Sequence, residues 1–377
     1  MIEPITARVA GAVSGLPAAQ WDALTDGGNP FMRHAFLAAL ERSGSVGGRS
    51  GWTPAPLTIE DEAGRLAAAL PAYLKQHSQG EYVFDHSWAE AWQRAGGRYY
   101  PKLQIAAPFT PATGPRLLTR DPALAAPLLR AAQTLCAMHE LSSAHATFVD
   151  PGQVPLFEAS GWMIRSDIQF HWLNRGYASF EDFLAALSSR KRKAIRKERA
   201  AAKAGVRIEA LSGDAIQPEH WDAFWAFYQD TGGRKWGRPY LTREAFDAFG
   251  ETMGDDIVLV LAYADDTPIA GALNFVGGQA LYGRYWGCTL DKPFLHFELC
   301  YYQAIEIAIA RGLERVEAGA QGPHKLARGY EPVQTYSAHW IADPGFRAAV
   351  GDFLERERAG VDAEQAFLDE RTPFRKG

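Results

Sequence analysis

The sequence predicts a mixed α+β protein of two similar lobes, each a mixed, mostly antiparallel sheet flanked by helices. Three observations carry this expectation. The first is a recurring unit. Phe157-Glu158-Ala159-Ser160-Gly161-Trp162 followed by His171-Trp172 matches Lys325-Leu326-Ala327-Arg328-Gly329-Tyr330 followed by His339-Trp340, with identical spacing from glycine to His-Trp. Carried backwards, the same offset lays helix-like 124–140 over 292–308, and Ala146-Thr147-Phe148-Val149 over Glu314-Arg315-Val316-Glu317. A period this long marks a duplicated domain rather than a solenoid. Second, strand hairpins precede a long helix in each copy, which excludes an all-parallel sheet. Third, 377 residues exceed what one core usually fills. The expected lobes are 1–173 and 174–377, the second carrying a basic helix and the chemistry.

In chain order, Asn29-Pro30 opens an amphipathic helix over 31–42. Pro56–Ile59 and Leu66–Tyr73 flank Asp61-Glu62-Ala63-Gly64 and predict a hairpin. Helix, strand, loop and strand follow to 172. Residues 175–256 read as mostly helical: a helix from Phe180 to Leu187 leads into Arg190-Lys191-Arg192-Lys193-Ala194-Ile195-Arg196-Lys197, and an aromatic-rich helix spans Pro218–Thr231. A loop is expected over Arg234-Lys235-Trp236-Gly237-Arg238-Pro239-Tyr240. Strands over 257–263, 268–275 and 280–286 open the second copy. Asp291 and Pro293 start, and Gly312 stops, the helix that follows.

Composition bounds the function. The net charge of −5 argues against a generic nucleic-acid binder. Cys136, Cys288 and Cys300 are scattered, without metal-ligand spacing, and read as reduced thiols. The opening residues lack a basic segment followed by an apolar core, and no stretch is long and apolar enough to cross a membrane, so a cytoplasmic protein is expected. No phosphate-binding Walker loop, dinucleotide-binding glycine pattern, serine elbow or metal motif is present.

Comparing the copies singles out candidates. A residue kept in both copies reads as structural, which covers His171 and His339. Polar groups confined to the second copy are better functional candidates. Glu317 stands against Val149, and Lys325 against Phe157. Glu298 falls in the middle of an apolar helix face, where a carboxylate must be paired, protonated or functional; the structural alternative is a pair with an arginine such as Arg284. The segment Gly322-Pro323-His324-Lys325 follows a short strand, a common place for sites. The first copy could instead use Asp85, His86 and Trp88. In the basic run, Arg192, Arg196, Arg199 and Lys203 form one stripe, either a solvated face or a phosphate-binding surface. Arg234, Lys235, Trp236, Arg238 and Arg284 form a second basic and aromatic cluster.

Ser188–Lys197 followed by Gly205-Val206, with the runs 282–288, 296–302 and 317–330, resembles a bacterial family of Fem-like proteins of the GNAT superfamily, labelled peptidoglycan biosynthesis/recognition or GNAT N-acetyltransferase. The resemblance spans nearly the whole chain. It implies two GNAT-like lobes and transfer of an acyl or aminoacyl group to an amine. Acyl-CoA, an acyl carrier protein or aminoacyl-tRNA would be the donor, without a metal. The loop that binds acetyl-CoA pyrophosphate in ordinary GNAT enzymes is not matched: that place reads Gly287-Cys288-Thr289-Leu290-Asp291-Lys292-Pro293.

Amine attack on a carbonyl calls for a general base and an oxyanion site. The expected base is Glu317 or Glu298, with His324 next, and Tyr285 or Tyr330 would protonate the leaving group. Arg284, Gln321, Lys325, Arg234, Lys235, Trp236, Arg238, Arg192, Arg196 and Arg199 are the expected substrate-binding residues. The competing reading is a non-catalytic module that recognises a peptidoglycan precursor or a protein. Both glutamates tied to arginines, with no room for a carbonyl, would favour it.

Overall fold

The computed structural model describes residues 6–236, 239–319 and 322–375. Two compact units share the chain: 1–167 with 334–363, and 168–333 with 364–377. The expected boundary at 173 lies at the end of a strand that begins in one unit and finishes in the other, and the chain returns to the first unit within a second such strand.

The first unit contains β1 (Ala7–Val9), β2 (Trp52–Pro54), β3 (Leu57–Glu60), β4 (Leu66–Leu70), β5 (Ala72–Lys75), β6 (Lys102–Ile105), β7 (Leu118–Thr119), β8 (Ser143–Val149) and the start of β9 (Met163–Leu173). The hairpin around Asp61 forms as β3–β4. Leu66–Tyr73 divides at Pro71 into two strands, because proline cannot donate to a ladder. The helix predicted over 31–42 starts as a 3-10 turn at Pro30–Met32 and continues as His34–Arg42. The core is aliphatic, with Leu57, Leu70, Leu103, Leu128, Leu129 and Ala146 packed around the helix Ala125–Met138.

The second unit contains the end of β9, then β10 (Arg207–Leu211), β11 (Ile257–Ala264), β12 (Thr267–Gly277), β13 (Ala280–Cys288), β14 (Arg315–Glu317) and the start of β15 (Glu331–Ile341). Strand order is β10-β11-β12-β13-β14-β9, antiparallel except where β13 lies parallel to β14. The basic helix spans Ser189–Lys203, anchored by Ile195 and Ala202. The next helix runs Pro218–Trp236, so Arg234, Lys235 and Trp236 are helical and not in the expected loop. Arg238 and Gln321 lie outside the described residues.

The copies recur in order: helix, strand, short helical turns, strand. β9 and β15 coincide at the expected offset, and Gly161 and Gly329 both take positive φ, 77° and 88°. The ladders correct one equivalence. β14 places Glu317 opposite His171, whereas β8 places His145, and not Val149, opposite His339. The connection from this strand to the next is therefore shorter in the second copy. His145 is the first-copy counterpart of Glu317.

Among the described residues no helix is long and apolar enough to cross a membrane, and no group of three or more His, Cys, Asp or Glu is placed to hold a metal ion.

Candidate active site

The parallel pairing of β13 with β14 ends at Tyr282 and Glu317. Beyond that point β13 runs on to Cys288, while the segment after β14 turns away at Ala318 and Gly319, where φ of Gly319 is 78°. The two segments splay, and a cleft of about 140 Å³ opens between them. Ala272, Leu273 and Asn274 of β12, 283–286 of β13, His296, Cys300, Tyr301, Ala318 and Gly319 line it. A second pocket of about 400 Å³ shares Trp286 and His296 and adds Thr231, Cys288, Leu290, Asp291, Lys292 and Leu295.

The first copy closes the equivalent place. β6 stops beside β8 at Ile105/Ala146, and Gly114 then bridges Val149 in parallel. Gly114 N–H donates to the Phe148 carbonyl, and Asp150 N–H to the Gly114 carbonyl. β15 occupies the other side of β8 at Val149, so Gly114 fills the side that β6 vacates. The fully buried Arg116 fastens this segment through Nε to Thr147 O (2.8 Å) and Nη2 to Ala112 O (2.9 Å).

Two local irregularities shape the open cleft. Asn274 pairs with Gly283 and Leu273 with Tyr285, so Arg284 is the extra residue of a bulge. Bulges re-aim side chains, and Arg284 and Tyr285 both reach the cleft wall. The helix over the cleft is not uniformly α: Leu295–Phe297 is followed by a π segment, Glu298–Tyr302, before α geometry resumes at Gln303–Ala310. A π turn brings residues five apart onto one face. His296 and Tyr301 accordingly stand together, ring centroids 5.4 Å apart, both on the cleft.

Tyr301 carries the polar chemistry of this wall. Its hydroxyl is 2.9 Å from His324 Nε2. Burial raises the Tyr301 pKa above the ordinary tyrosine value, with Cys300 adding to the shift. Partial burial and the Arg328 and Lys325 charges lower that of His324, which favours its neutral form. Lys325 is 1% exposed; its Nζ donates to Gly319 O (2.9 Å), and burial brings its pKa down to about 8. This bond ties the polar loop to the residue where the strands part. Arg328 closes the layer, stacked 3.4 Å from the Phe297 ring and bound to Glu198.

The expected bases are elsewhere. Glu298 is fully buried, its two oxygens held by Arg199 at 3.0 and 2.9 Å; the arginine is not Arg284. Glu317 lies on the sheet face opposite the cleft, since side chains alternate and Ala318 takes the cleft side. Arg315 Nε holds its Oε1 at 2.9 Å, and His171 Nε2 is 3.9 Å from Oε2. Tyr330 is fully buried beneath Tyr301, its hydroxyl without a partner among the described residues.

The basic stripe also divides. Arg199 binds Glu298 and Glu306, Lys203 binds Glu298, and Arg196 binds Glu181. Of that stripe, Arg192 alone has no acidic partner among the described residues.

Asn274, Trp286, His296, Cys300 and Tyr301 were not singled out as site residues from sequence. Asn274 had a readable signal, a lone amide inside an apolar strand. The others depend on the bulge and the π turn.

The profile of the FemAB-like family, described as peptidoglycan biosynthesis/recognition, matches residues 12–376. Three solved structures superpose over most of the chain. FemX shares 12% identity at a TM-score of 0.57, covering 88% of this chain and 98% of its own. The C-terminal domain of a putative lysylphosphatidylglycerol synthetase from Agrobacterium fabrum shares 10% at 0.54, covering 89% and 95%. L-PGS from Bacillus licheniformis shares 10% at 0.51, covering 93% and 98%. At these identities the likeness concerns the fold alone, a mixed α/β fold. A search of curated protein sequences finds no match.

Proposed function

The chain belongs to the FemAB-like family of peptidoglycan biosynthesis and recognition, and on that premise we propose that its second unit transfers an acyl or aminoacyl group from a phosphate-bearing donor to an amine. The observation that carries this reading is the open splay between β13 and β14, set against the closed counterpart in the first unit. A strand that outruns its neighbour offers an edge on which an extended ligand arm pairs as an extra strand. The reacting carbonyl then sits at the point of divergence, beside Tyr301. Acyl-CoA, an acyl carrier protein and aminoacyl-tRNA remain the donor classes.

The attacking amine loses a proton as its nitrogen bonds to the carbonyl carbon. In this reading Tyr301 Oη accepts that proton while passing its own to neutral His324 Nε2, a relay of two ordinary hydrogen bonds. Collapse of the tetrahedral adduct expels the thiolate or alkoxide, and the relay run in reverse returns a proton to it. Lys325 positions Gly319 at the mouth, and Arg284 supplies a cation for phosphate or carboxylate.

A second reading keeps one specific support. Both candidate glutamates are tied to arginines, as a purely binding module would have them, although the cleft leaves room for a carbonyl. One experiment separates the two. Purified protein is incubated with acetyl-CoA or with charged total tRNA and a muropeptide bearing a free amine, and products are read by mass spectrometry. Transfer is expected, falling about a hundredfold or more in kcat for Tyr301→Phe and His324→Gln. Tight binding of a donor or acceptor without a new amide would establish the binding module.

A further inference from the structure

Asn274 stands on β12 opposite Gly283 and is 1% exposed. Its Nδ2 donates to two carbonyls, Val258 O at 3.1 Å and Ala272 O at 3.3 Å. Those oxygens only accept, so rotating the amide would set oxygen against oxygen on both sides. The orientation is thereby fixed, and Oδ1 must be the atom left over. It is buried and has no hydrogen-bond partner among the described residues.

Asn274 and Gly283 both line the splayed cleft. A Cβ placed on Gly283 would lie 3.5 Å from Asn274 Oδ1, 3.6 Å from Glu317 O and 3.7 Å from Ala318 Cα. The missing side chain leaves a notch where the strands part, and two of its nearest atoms are oxygens. Such a notch suits an N–H and disfavours an acceptor oxygen at its floor, so the reacting carbonyl lies outside it, toward Tyr301. A buried amide oxygen with no donor is also unfavourable for the fold by itself, and a bound N–H would satisfy it.

We propose that Asn274 Oδ1 receives an N–H from the ligand in this cleft, making Asn274 a binding residue specific for an amine or amide nitrogen. This deepens the transfer reading and rests on it. Two ligands supply that chemistry: the attacking amine of the acceptor, and a secondary amide in the arm of the acyl donor. In the first case the bond would orient the amine, leaving its lone pair directed at the carbonyl. In the second it would fix how far the arm penetrates.

The test uses the Cys300 thiol, which lines the same cleft, as a reporter. Its alkylation by iodoacetamide is followed by peptide mass spectrometry in the full-length protein. The probes are acetyl-CoA, whose arm carries amide N–H groups; 1-aminobutane; and butyltrimethylammonium, a cation of similar reach without an N–H. The expected result is saturable protection of Cys300 by acetyl-CoA, 1-aminobutane or both, and none by butyltrimethylammonium. Asn274→Leu should weaken that protection about three- to tenfold, the effect of one neutral hydrogen bond.

Gly283→Ala should abolish or strongly weaken protection by filling the notch. Its backbone is not in the positive-φ region and the added Cβ makes only ordinary contacts, so this variant keeps the claim testable if Asn274→Leu misfolds. Protection by acetyl-CoA alone assigns the donor amide, and protection by 1-aminobutane alone assigns the acceptor. Equal affinity in wild type and both variants overturns the proposal, as does protection by butyltrimethylammonium or by no probe. Asn274-dependent protection without any amide product would leave the inference standing and remove the transfer reading.

Discussion

Replacing Arg199 with alanine should destabilise the second unit rather than release a ligand. The guanidinium makes four hydrogen bonds: two to Glu298 at 3.0 and 2.9 Å and two to Glu306 at 2.8 Å each. It also lies 4.2 Å from the Phe180 ring. Burial alone would lower its pKa, but the bonds to Glu306 and Glu298 outweigh that and raise it. Removing one member of a buried ion pair costs ~3–5 kcal/mol, because the other charge is left without its partner.

Glu298 retains Lys203 Nζ at 3.3 Å and Gln303 Nε2 at 2.8 Å, which reduces the loss. The Glu306 pair is partly exposed and adds at most ~1 kcal/mol, and the ring contact adds ~0.5–1 kcal/mol. The total is about 3 kcal/mol, or a urea midpoint lower by ~1–3 M at an ordinary denaturant slope. Arg192→Ala should move the midpoint very little. Arg199→Met with Glu298→Leu should recover most of the loss, since a buried pair exchanged for apolar residues of similar volume is often neutral. Urea unfolding followed by tryptophan fluorescence measures all four proteins. Arg192, Arg196 and Arg199 were expected among the substrate-binding residues; with Arg199 paired to Glu298 and Glu306, its loss should harm folding before binding. An Arg199→Ala protein as stable as wild type but defective in binding acetyl-CoA or tRNA would refute the argument.

Other outcomes follow from the same geometry. His145 Nδ1 and His339 Nδ1 are 2.7 Å apart inside the first unit, so one must donate and the other accept. Burial, with the Lys102 charge, lowers the His145 pKa to about 3, and burial with His145 holds His339 well below its ordinary value. A depressed folded pKa gives stability that is complete above about pH 6.5 and drains as pH falls toward 3, by up to a few kcal/mol; urea midpoints at pH 7, 5.5 and 4.5 should show this, and His145→Gln should flatten the dependence. Arg116→Met leaves the Thr147 and Ala112 carbonyls without their donor, which should cost the first unit ~2–4 kcal/mol by the same unfolding assay. Cys136 is buried, with its pKa pushed up to about 12, while Cys288 and Cys300 are partly exposed. Iodoacetamide at neutral pH should therefore modify Cys288 and Cys300 and spare Cys136, as peptide mapping would show.

Local chemistry was legible in the sequence. The hairpin strands, the long helices and the basic helix follow from residue periodicity and breakers, which act over a few positions. The duplication was legible too, because a glycine needed at positive φ and a His-Trp pair recur at fixed spacing. Register was not: the shorter connection in the second copy moves the counterpart of Glu317 from Val149 to His145, and only the ladder reveals it. Partner choice was equally hidden. Glu298 could be recognised as a buried carboxylate, but its arginine comes from a helix ninety-nine residues away. The cleft depends on a strand bulge at Arg284 and a π turn at Glu298–Tyr302, each of which shifts side chains by one position against the regular repeat. A one-position shift changes which face a side chain occupies without altering the composition of its neighbourhood. Sequence alone therefore determined what kind of elements form, and tertiary packing decided which residues face the opening between β13 and β14.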